Sequence, residues 1–148
     1  MQSRVVREGL CAQSPHVPVT LTASAHAAIL DAAARAHPHE CCGLLLGSGE
    51  RIVEAAATAN VAADPAHHFE IDPAALIAAH RKARTDQQAQ LLGYYHSHPN
   101  GLARPSSRDA ADAARDGRIW AIAAGGSVTL WRDAASGFAP LSYEVADG

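Results

Sequence analysis

Residues 91–109 read LLGYYHSHPNGLARPSSRD, and the interpretation of the whole chain starts from that stretch. Its first residues are apolar and aromatic up to a His-Ser-His tripeptide, which is typical of a β-strand over 91–98. Side chains alternate along a strand, so His96 and His98 project from the same face. Two imidazoles placed in this way are within reach of one metal ion.

A seven-residue loop over 99–105 follows this strand, and Ser106 then stands where a helix is predicted to begin. The helix is predicted over about 107–115, with Asp109 in its first turn. It can therefore return a carboxylate to the two histidines, and two His with one carboxylate are a normal ligand set for catalytic zinc. Ser-x-x-Asp before a helix is also typical of a capping box. The two interpretations are compatible, because a helix N-terminus also presents N–H groups to developing negative charge.

A His-x-His tripeptide by itself is a weak signal in a chain with nine histidines. His37-Pro38-His39 is a second example. It falls in a predicted helix-to-strand turn with no downstream acid at a useful spacing, so we expect it not to bind metal. His67-His68 has no acid at motif spacing either, and we predict that it lies in a surface loop.

Residues 38–47, PHECCGLLLG, place Glu40 directly before a continuous apolar run. The run predicts a buried strand over 41–46, followed by a tight hairpin. Glu40 is a candidate general base, with the alternative that it is an ordinary surface carboxylate at the end of a turn. Cys41 and Cys42 suggest a thiol nucleophile, but the apolar strand favours buried, inert cysteines.

The remaining pattern alternates helices and strands and indicates an α/β domain with a mixed, mostly antiparallel sheet flanked by helices. Residues 1–16 are the least patterned and are predicted to be a loose N-terminal arm, with one domain over 17–148. Further strands are predicted over 17–21, 52–59, 69–71, 119–124, 128–132 and 141–145. Two further helices are predicted, one capped by Thr22 or Ser24 and ending near Ala36, the other from Asp72-Pro73 to about Thr85.

The composition narrows the class of protein. At 148 residues the chain fits one domain, and 48% hydrophobic with 18% charged residues excludes an intrinsically disordered chain. No apolar run approaches the roughly 18 residues of a transmembrane helix, and no signal-peptide pattern is present. The net charge of −3 and the scattered basic residues argue against a nucleic-acid-binding face. Three cysteines, an odd number, predict a reducing cytoplasm.

Taken together, these motifs resemble the JAMM (MPN-plus, JAB) metallopeptidases over roughly residues 17–132. The resemblance depends on four features of the sequence: His96-Ser97-His98-Pro99, Ser106 with Asp109, the 38–47 segment that begins with Glu40, and Asn60 with Phe69-Glu70-Ile71-Asp72-Pro73. No departure from the family pattern is visible at a motif position. The resemblance implies a single-domain MPN/JAB-like fold of the short bacterial type.

The resemblance also implies roles for individual residues. His96, His98 and Asp109 would bind zinc. Glu40 would take a proton from the zinc-bound water and deliver it to the leaving amine, and Ser106 would hydrogen-bond the oxyanion.

The substrate that the resemblance implies is a ubiquitin-like sulfur-carrier protein, cut after its C-terminal glycine tail. Three alternatives stay open. One is a zinc peptidase acting on other small peptides or amino-acid conjugates. Another is a nucleic-acid-associated protein like the bacterial RadC proteins, which usually carry a helix-hairpin-helix module that we do not find here. The third is a partner-binding scaffold without catalysis, against which the complete ligand set argues.

Overall fold

The computed structural model describes residues 18–148 and the backbone of Arg4–Val5. Apart from those two residues, the predicted arm over 1–16 lies outside the described part, as does Val17. The described chain forms nine strands and three helices. The strands are β1 (Arg4–Val5), β2 (Val19–Thr22), β3 (Cys42–Ser48), β4 (Arg51–Thr58), β5 (Gln90–Ser97), β6 (Ile119–Ala124), β7 (Ser127–Ala134), β8 (Gly137–Leu141) and β9 (Tyr143–Ala146). The helices are α1 (Ala23–Ala36), α2 (Pro73–Ala83) and α3 (Ser107–Asp112).

The described strands form one mixed sheet in the order β1-β9-β2-β4-β3-β5-β6-β7-β8. Pairing is parallel between β2 and β4, between β2 and β9, and between β5 and β6. The other five pairs are antiparallel. The predicted α/β class with a mixed, mostly antiparallel sheet is confirmed. None of the described helices combines the length and the apolar character needed to span a membrane.

Strand β3 lies at the centre of the sheet and is buried on both faces. Leu45 belongs to a core cluster that includes Ile29 of α1, whereas Leu44 and Leu46 belong to a second cluster against which Leu76 of α2 packs. Successive side chains of a strand point to opposite faces, so covering both faces requires an unbroken apolar run. This is why the sequence shows a continuous run here and not an alternating one.

Gly93 lets strands β5 and β6 approach closely. A Cβ atom at this position would lie 1.8 Å from the carbonyl oxygen of Ile119. Only glycine avoids this clash, because it has no Cβ. In the parallel register of these two strands, Gly93 pairs with Ile119 and His96 pairs with Ile122.

The predicted single strand over 141–145 was incomplete, because the chain forms two strands there. β8 pairs with β7 at one edge of the sheet, and β9 pairs with β1 and β2 near the other. Only Ser142 separates them, so the sheet must curl until its two edges are close together. The hydroxyl of Tyr143 donates to the carbonyl of Val128 at 2.6 Å and ties the returning chain to β7.

The predicted strand over 69–71 is reduced to one isolated bridge between Asn60 and Ile71. The side-chain oxygen of Asn60 accepts a hydrogen bond from the amide of Glu70, which takes the place of a regular strand ladder.

Helix α3 ends at Asp112, earlier than the predicted 115. Asp133 of strand β7 explains the difference, because its carboxylate accepts a hydrogen bond from the Arg115 amide and its carbonyl accepts one from the Gly117 amide. These bonds draw the chain away from the helix axis. Helix α2 ends at Ala83, about two residues before its predicted end.

Candidate metal centre and active site

Three buried side chains converge where strand β5 meets helix α3. His96 Nε2 and His98 Nε2 lie 3.0 Å apart, and each lies 3.1 Å from Asp109 Oδ2. Their exposed fractions are 0%, 7% and 4%. The strand places the two imidazoles on one face, and the first turn of α3 returns the carboxylate to them. These are the three residues that the sequence predicts as metal ligands, and in the described chain they form a group able to hold an ion.

The spacing of these three atoms fits a metal ion. Zinc bonds of about 2.0–2.1 Å in a tetrahedral shell put neighbouring ligand atoms about 3.3 Å apart. The observed edges of 3.0–3.1 Å are close to that value. Two imidazole nitrogens and a carboxylate oxygen carry more lone pairs than protons to share, so a cation suits the space between them.

His98 is held in the tautomer that a metal ligand requires. Its Nδ1 lies 2.7 Å from the carbonyl oxygen of Leu102, which can only accept a hydrogen bond. In the neutral imidazole Nδ1 therefore carries the proton, and the lone pair of Nε2 faces the cluster.

His96 is held by aromatic packing. Its ring stacks on Phe69 at a centroid distance of 4.3 Å and meets the edge of Trp120 at 5.7 Å. Its Nδ1 is buried and has no hydrogen-bond partner in the described part of the chain. Ring packing thus holds the orientation of the His96 ring.

The electrostatics of the cluster favour the ligand form of Asp109 and His96. Burial raises the pKa of Asp109, but hydrogen bonds with His96 and His98 outweigh burial and hold that pKa below its ordinary value. Burial lowers the pKa of His96, which favours the neutral imidazole. For His98, burial also acts to lower the pKa, but the hydrogen bonds with Asp109 and with the Leu102 carbonyl leave it raised. An ionised carboxylate beside a neutral imidazole is what metal binding needs.

Glu40 lies on the neighbouring chain segment, opposite the histidine strand. Cys42 pairs with His96, and the Cys41 amide donates to Ser97 Oγ at 2.8 Å, which places Glu40 across from His98. Glu40 is 8% exposed. Burial raises its pKa to about 7, with His98 acting against the rise and Asp109 adding to it. A carboxylate with this pKa can both take and release a proton near neutral pH.

Asn60 fixes the position of Glu40 through its side-chain amide. Its nitrogen donates to the carbonyls of Glu40 and His68, both at 3.0 Å. Its oxygen accepts from the amides of Ala62 and Glu70. The amide thus joins the loop that carries Phe69 to the segment that carries Glu40. Sequence reasoning quoted Asn60 without giving it a role, because these partners are far apart in the chain.

Ser106 forms the predicted capping box with Asp109. The Asp109 amide donates to Ser106 Oγ at 3.0 Å, and the Ser106 amide donates to Asp109 Oδ2 at 2.9 Å. The same Oδ2 atom faces both histidines, so the cap also orients the third member of the cluster. Ser106 is exposed, and because its oxygen accepts in the cap, its hydroxyl hydrogen is free to donate outward.

Comparison with known proteins identifies the family. Residues 22–134 match the family described as prokaryotic homologs of the JAB domain. This chain belongs to that JAB family. It is 35% identical to a desampylase from Haloferax volcanii across 113 residues, covering 70% of this chain and 78% of the relative.

Solved structures share the JAB fold of this chain. A solution structure of a protein from Desulfitobacterium hafniense covers 88% of this chain and 94% of its own, with a TM-score of 0.77 and 26% identity. A structure described as a JAMM metalloprotease-like zinc site in the proteasome and signalosome covers 86% and 98%, with a TM-score of 0.55 and 21% identity. The predicted membership of the JAMM (MPN-plus, JAB) family is confirmed.

Other candidate residues are not members of the cluster in this JAB domain. His37 and His39 are exposed at the end of α1. Cys41 and Cys42 are buried free thiols whose pKa values are raised by burial, as expected of inert cysteines. His68 lies in a loop as predicted, but its Nδ1 is 3.6 Å from a carboxylate oxygen of Asp112, a contact that no local spacing indicates.

Proposed function

We propose that this chain is a zinc metallopeptidase that cuts the peptide or isopeptide bond following the C-terminal glycine tail of a ubiquitin-like protein. The observation that carries the proposal is the buried triangle of His96, His98 and Asp109, with Glu40 opposite His98. Membership of the JAB family and the similarity to a desampylase support a hydrolase acting on ubiquitin-like conjugates. The ligand set of two histidines and one carboxylate supports zinc as the metal.

The residues of the site have distinct parts in this hydrolysis. When bound, zinc would lower the pKa of a water molecule towards about 7 and polarise the scissile carbonyl. Glu40, a buried carboxylate opposite His98, takes a proton from the attacking water and delivers it to the leaving amine nitrogen. The hydroxyl of Ser106 donates to the oxygen that becomes negatively charged as water adds to the carbonyl.

A glycine tail suits the shape of this site. The scissile carbonyl has to reach a buried cluster while Glu40 and Ser106 approach it from other directions. This arrangement favours an extended peptide without bulky side chains just before the cut, and glycine has no Cβ. Extended peptides commonly bind by adding a strand to a sheet edge, so main-chain hydrogen bonds supply affinity and the folded head of the partner docks outside.

Within this proposal the partner is a ubiquitin-like sulfur carrier in a reducing compartment such as the cytoplasm. The free thiols of Cys41 and Cys42 are consistent with that compartment. The family resemblance of the sequence supports the sulfur carrier. The alternative substrates are other small peptides or amino-acid conjugates.

The test uses a ubiquitin-like sulfur carrier whose Gly-Gly tail is fused to a short peptide. We expect the enzyme to cut directly after the second glycine, and mass spectrometry of the products locates the cut. Glu40→Gln should cut the same fusion about 10²–10⁴-fold more slowly, whereas His39→Ala, a change at the adjacent exposed residue, should cut normally.

Two variants of the substrate sharpen this test. Replacing the second glycine by valine should slow cleavage severely, and equal rates would contradict the preference for a residue without a side chain before the cut. An unfolded peptide with the same tail should be cut more slowly than the folded carrier. Equal rates for the two substrates would mean that the folded carrier is not recognised, and would favour the small-peptide alternative.

A further inference from the structure

A pocket of about 530 Å³ lies beside the cluster of His96, His98 and Asp109, between the loop that precedes α2, helix α3 and strands β5 to β7. This volume lies in the range of small-ligand sites. Three aromatic rings line it, from Phe69, Tyr94 and Trp120. Phe69 and Trp120 also pack on the ring of His96, so the wall of the pocket is one ring away from the cluster.

The lining of this pocket carries unbalanced negative charge. Four carboxylates contribute to it, from Glu70, Asp112, Asp116 and Asp133. Asp112 pairs with Arg108 at 3.0 Å and Asp116 pairs with Arg118 at 2.9 Å. Glu70 and Asp133 have no ion pair with any residue that the structure describes, which leaves two of the four without a cation.

Two deeply buried polar groups of the lining lack partners. Asp133 is 1% exposed; its Oδ2 accepts from the Arg115 amide, but its Oδ1 has no hydrogen bond within the described residues. Trp120 is 5% exposed, and its Nε1–H likewise has none there. The nearby Arg118 Nε shares this state. Since buried polar atoms are nearly always paired, an acceptor and a donor in one pocket point to a bound partner.

We propose that this pocket binds a cationic side chain of the substrate, an alkylammonium or a guanidinium group, close to the bond that is cut. Asp133 Oδ1 accepts a hydrogen bond from the cation, and the rings of Phe69, Tyr94 and Trp120 attract its charge through their faces. The Trp120 N–H donates to a backbone carbonyl of the substrate residue that carries the cation. The placement of this side chain close to the scissile bond rests on the proposed function, whereas the binding of a cation in the pocket does not.

The binding test uses the intact protein and small amides as probes. Nα-acetyl-arginine amide is compared with Nα-acetyl-citrulline amide, which has nearly the same shape without the charge. Nα-acetyl-lysine amide is compared with its norleucine counterpart. The readout is the NMR signal of the Trp120 indole N–H. The other tryptophan, Trp131, is an internal control because its Nε1 donates to Thr129 Oγ1 at 3.0 Å.

We expect the cationic amides to shift the Trp120 signal saturably and the Trp131 signal little. They should bind at least about tenfold more tightly than the neutral amides, since a hydrogen bond to a charged group contributes that much. Equal binding of citrulline and arginine would overturn the proposal, as would the absence of any saturable shift, because water then satisfies the unpaired groups. Whichever of the arginine and lysine amides binds more tightly identifies the preferred side chain.

Asp133→Asn tests the residue at the centre of the proposal. The amide oxygen can still accept from the Arg115 amide, while the charge and the second acceptor are lost. Binding of the cations should weaken about tenfold or more. Glu54→Gln, which removes the same charge from an exposed position on β4, should leave binding unchanged. If Asp133→Asn does not fold, the comparison of arginine with citrulline in the wild-type protein still decides.

A cleavage test separates this proposal from the proposed function. Fusions with a glycine tail carry arginine, lysine or citrulline within two residues of the cut, on either side. We expect kcat/KM to be about tenfold higher for the cationic fusions and this preference to disappear in Asp133→Asn. Cation binding with no cleavage would overturn the peptidase and support the cation pocket. Cleavage without any preference would overturn the pocket as a substrate subsite.

Discussion

The chain contains two His-x-His tripeptides, His37-Pro38-His39 and His96-Ser97-His98. They lie in contrasting surroundings, the first exposed and the second buried. The first ends helix α1 with both imidazoles exposed. The second lies at the end of a central strand, where alternation points both imidazoles to one face and helix α3 returns Asp109 to them. The comparison shows that the spacing of two histidines does not by itself form a group able to hold an ion. Strand geometry and a carboxylate that the fold brings back to the histidines form that group.

The largest effect that distinguishes the two tripeptides should be on metal content. We expect about one zinc ion per chain, lost in His96→Ala and in Asp109→Ala and retained in His37→Ala and His39→Ala. Activity should fall to the background rate only in the first pair of variants. Elemental analysis of the purified proteins measures the metal. Zinc that survives Asp109→Ala, or leaves with His39→Ala, would reverse the assignment.

The next largest effect should come from the residue adjacent to the exposed tripeptide. Glu40→Gln should lower turnover by about 10²–10⁴-fold, the usual contribution of a general acid–base group. The zinc content should stay unchanged, because proton transfer and not ligation is the role proposed for Glu40. Parallel measurements of zinc and rate decide. If the metal disappears with the carboxylate, Glu40 is a ligand and the proposed role is wrong.

Ser106→Ala separates the two functions that the sequence allows for this serine. Loss of an oxyanion donor should lower kcat by about 10²–10³-fold with a smaller change in KM. Loss of the helix cap should lower the free energy of unfolding by about 1 kcal/mol. Kinetics and melting curves on one preparation measure both. A lower Tm with an unchanged kcat would leave Ser106 as a cap alone, and Ser106→Thr, which keeps a hydroxyl, should restore both.

The smallest effect concerns stability, and its sign follows from the pKa of Glu40. Burial raises that pKa from 4.5 to about 7, so the folded state binds the proton more tightly than the unfolded state does. The resulting stabilisation is complete below about pH 4.5 and is lost as the pH rises through 7.

In a chelating buffer at pH 8, Glu40→Gln should therefore be more stable than the wild type by about 1–2 kcal/mol, and by less at pH 5. Urea unfolding at the two pH values measures the difference. Glu54→Gln, which removes the same charge from an exposed position, is the control and should change the stability of the protein little. A destabilised Glu40→Gln at pH 8 would mean that the carboxylate is retained for stability, contrary to a functional role.

Much of the fold could be predicted because it depends on residues that are close together in the chain. The unbroken apolar run of β3, the cap of α1 by Thr22, and the capping box of Ser106 and Asp109 are local patterns with local causes. The early end of α3 and the pairing of β9 with β2 could not be predicted in this way. The first depends on hydrogen bonds that Asp133 accepts, and the second on the curl of the whole sheet.

The candidate site likewise combines features that depend on the local sequence with features that depend on the fold. The sequence by itself determined the two histidines, the carboxylate and their spacing, because one strand and the first turn of the next helix hold all three. Only the tertiary structure decided what surrounds them. Asn60 reaches Glu40 across 20 residues, and the ring of Phe69 stacks on His96. The physical reason is that burial, ring packing and the pKa of about 7 of Glu40 are properties of assembled neighbours, and no local pattern carries them.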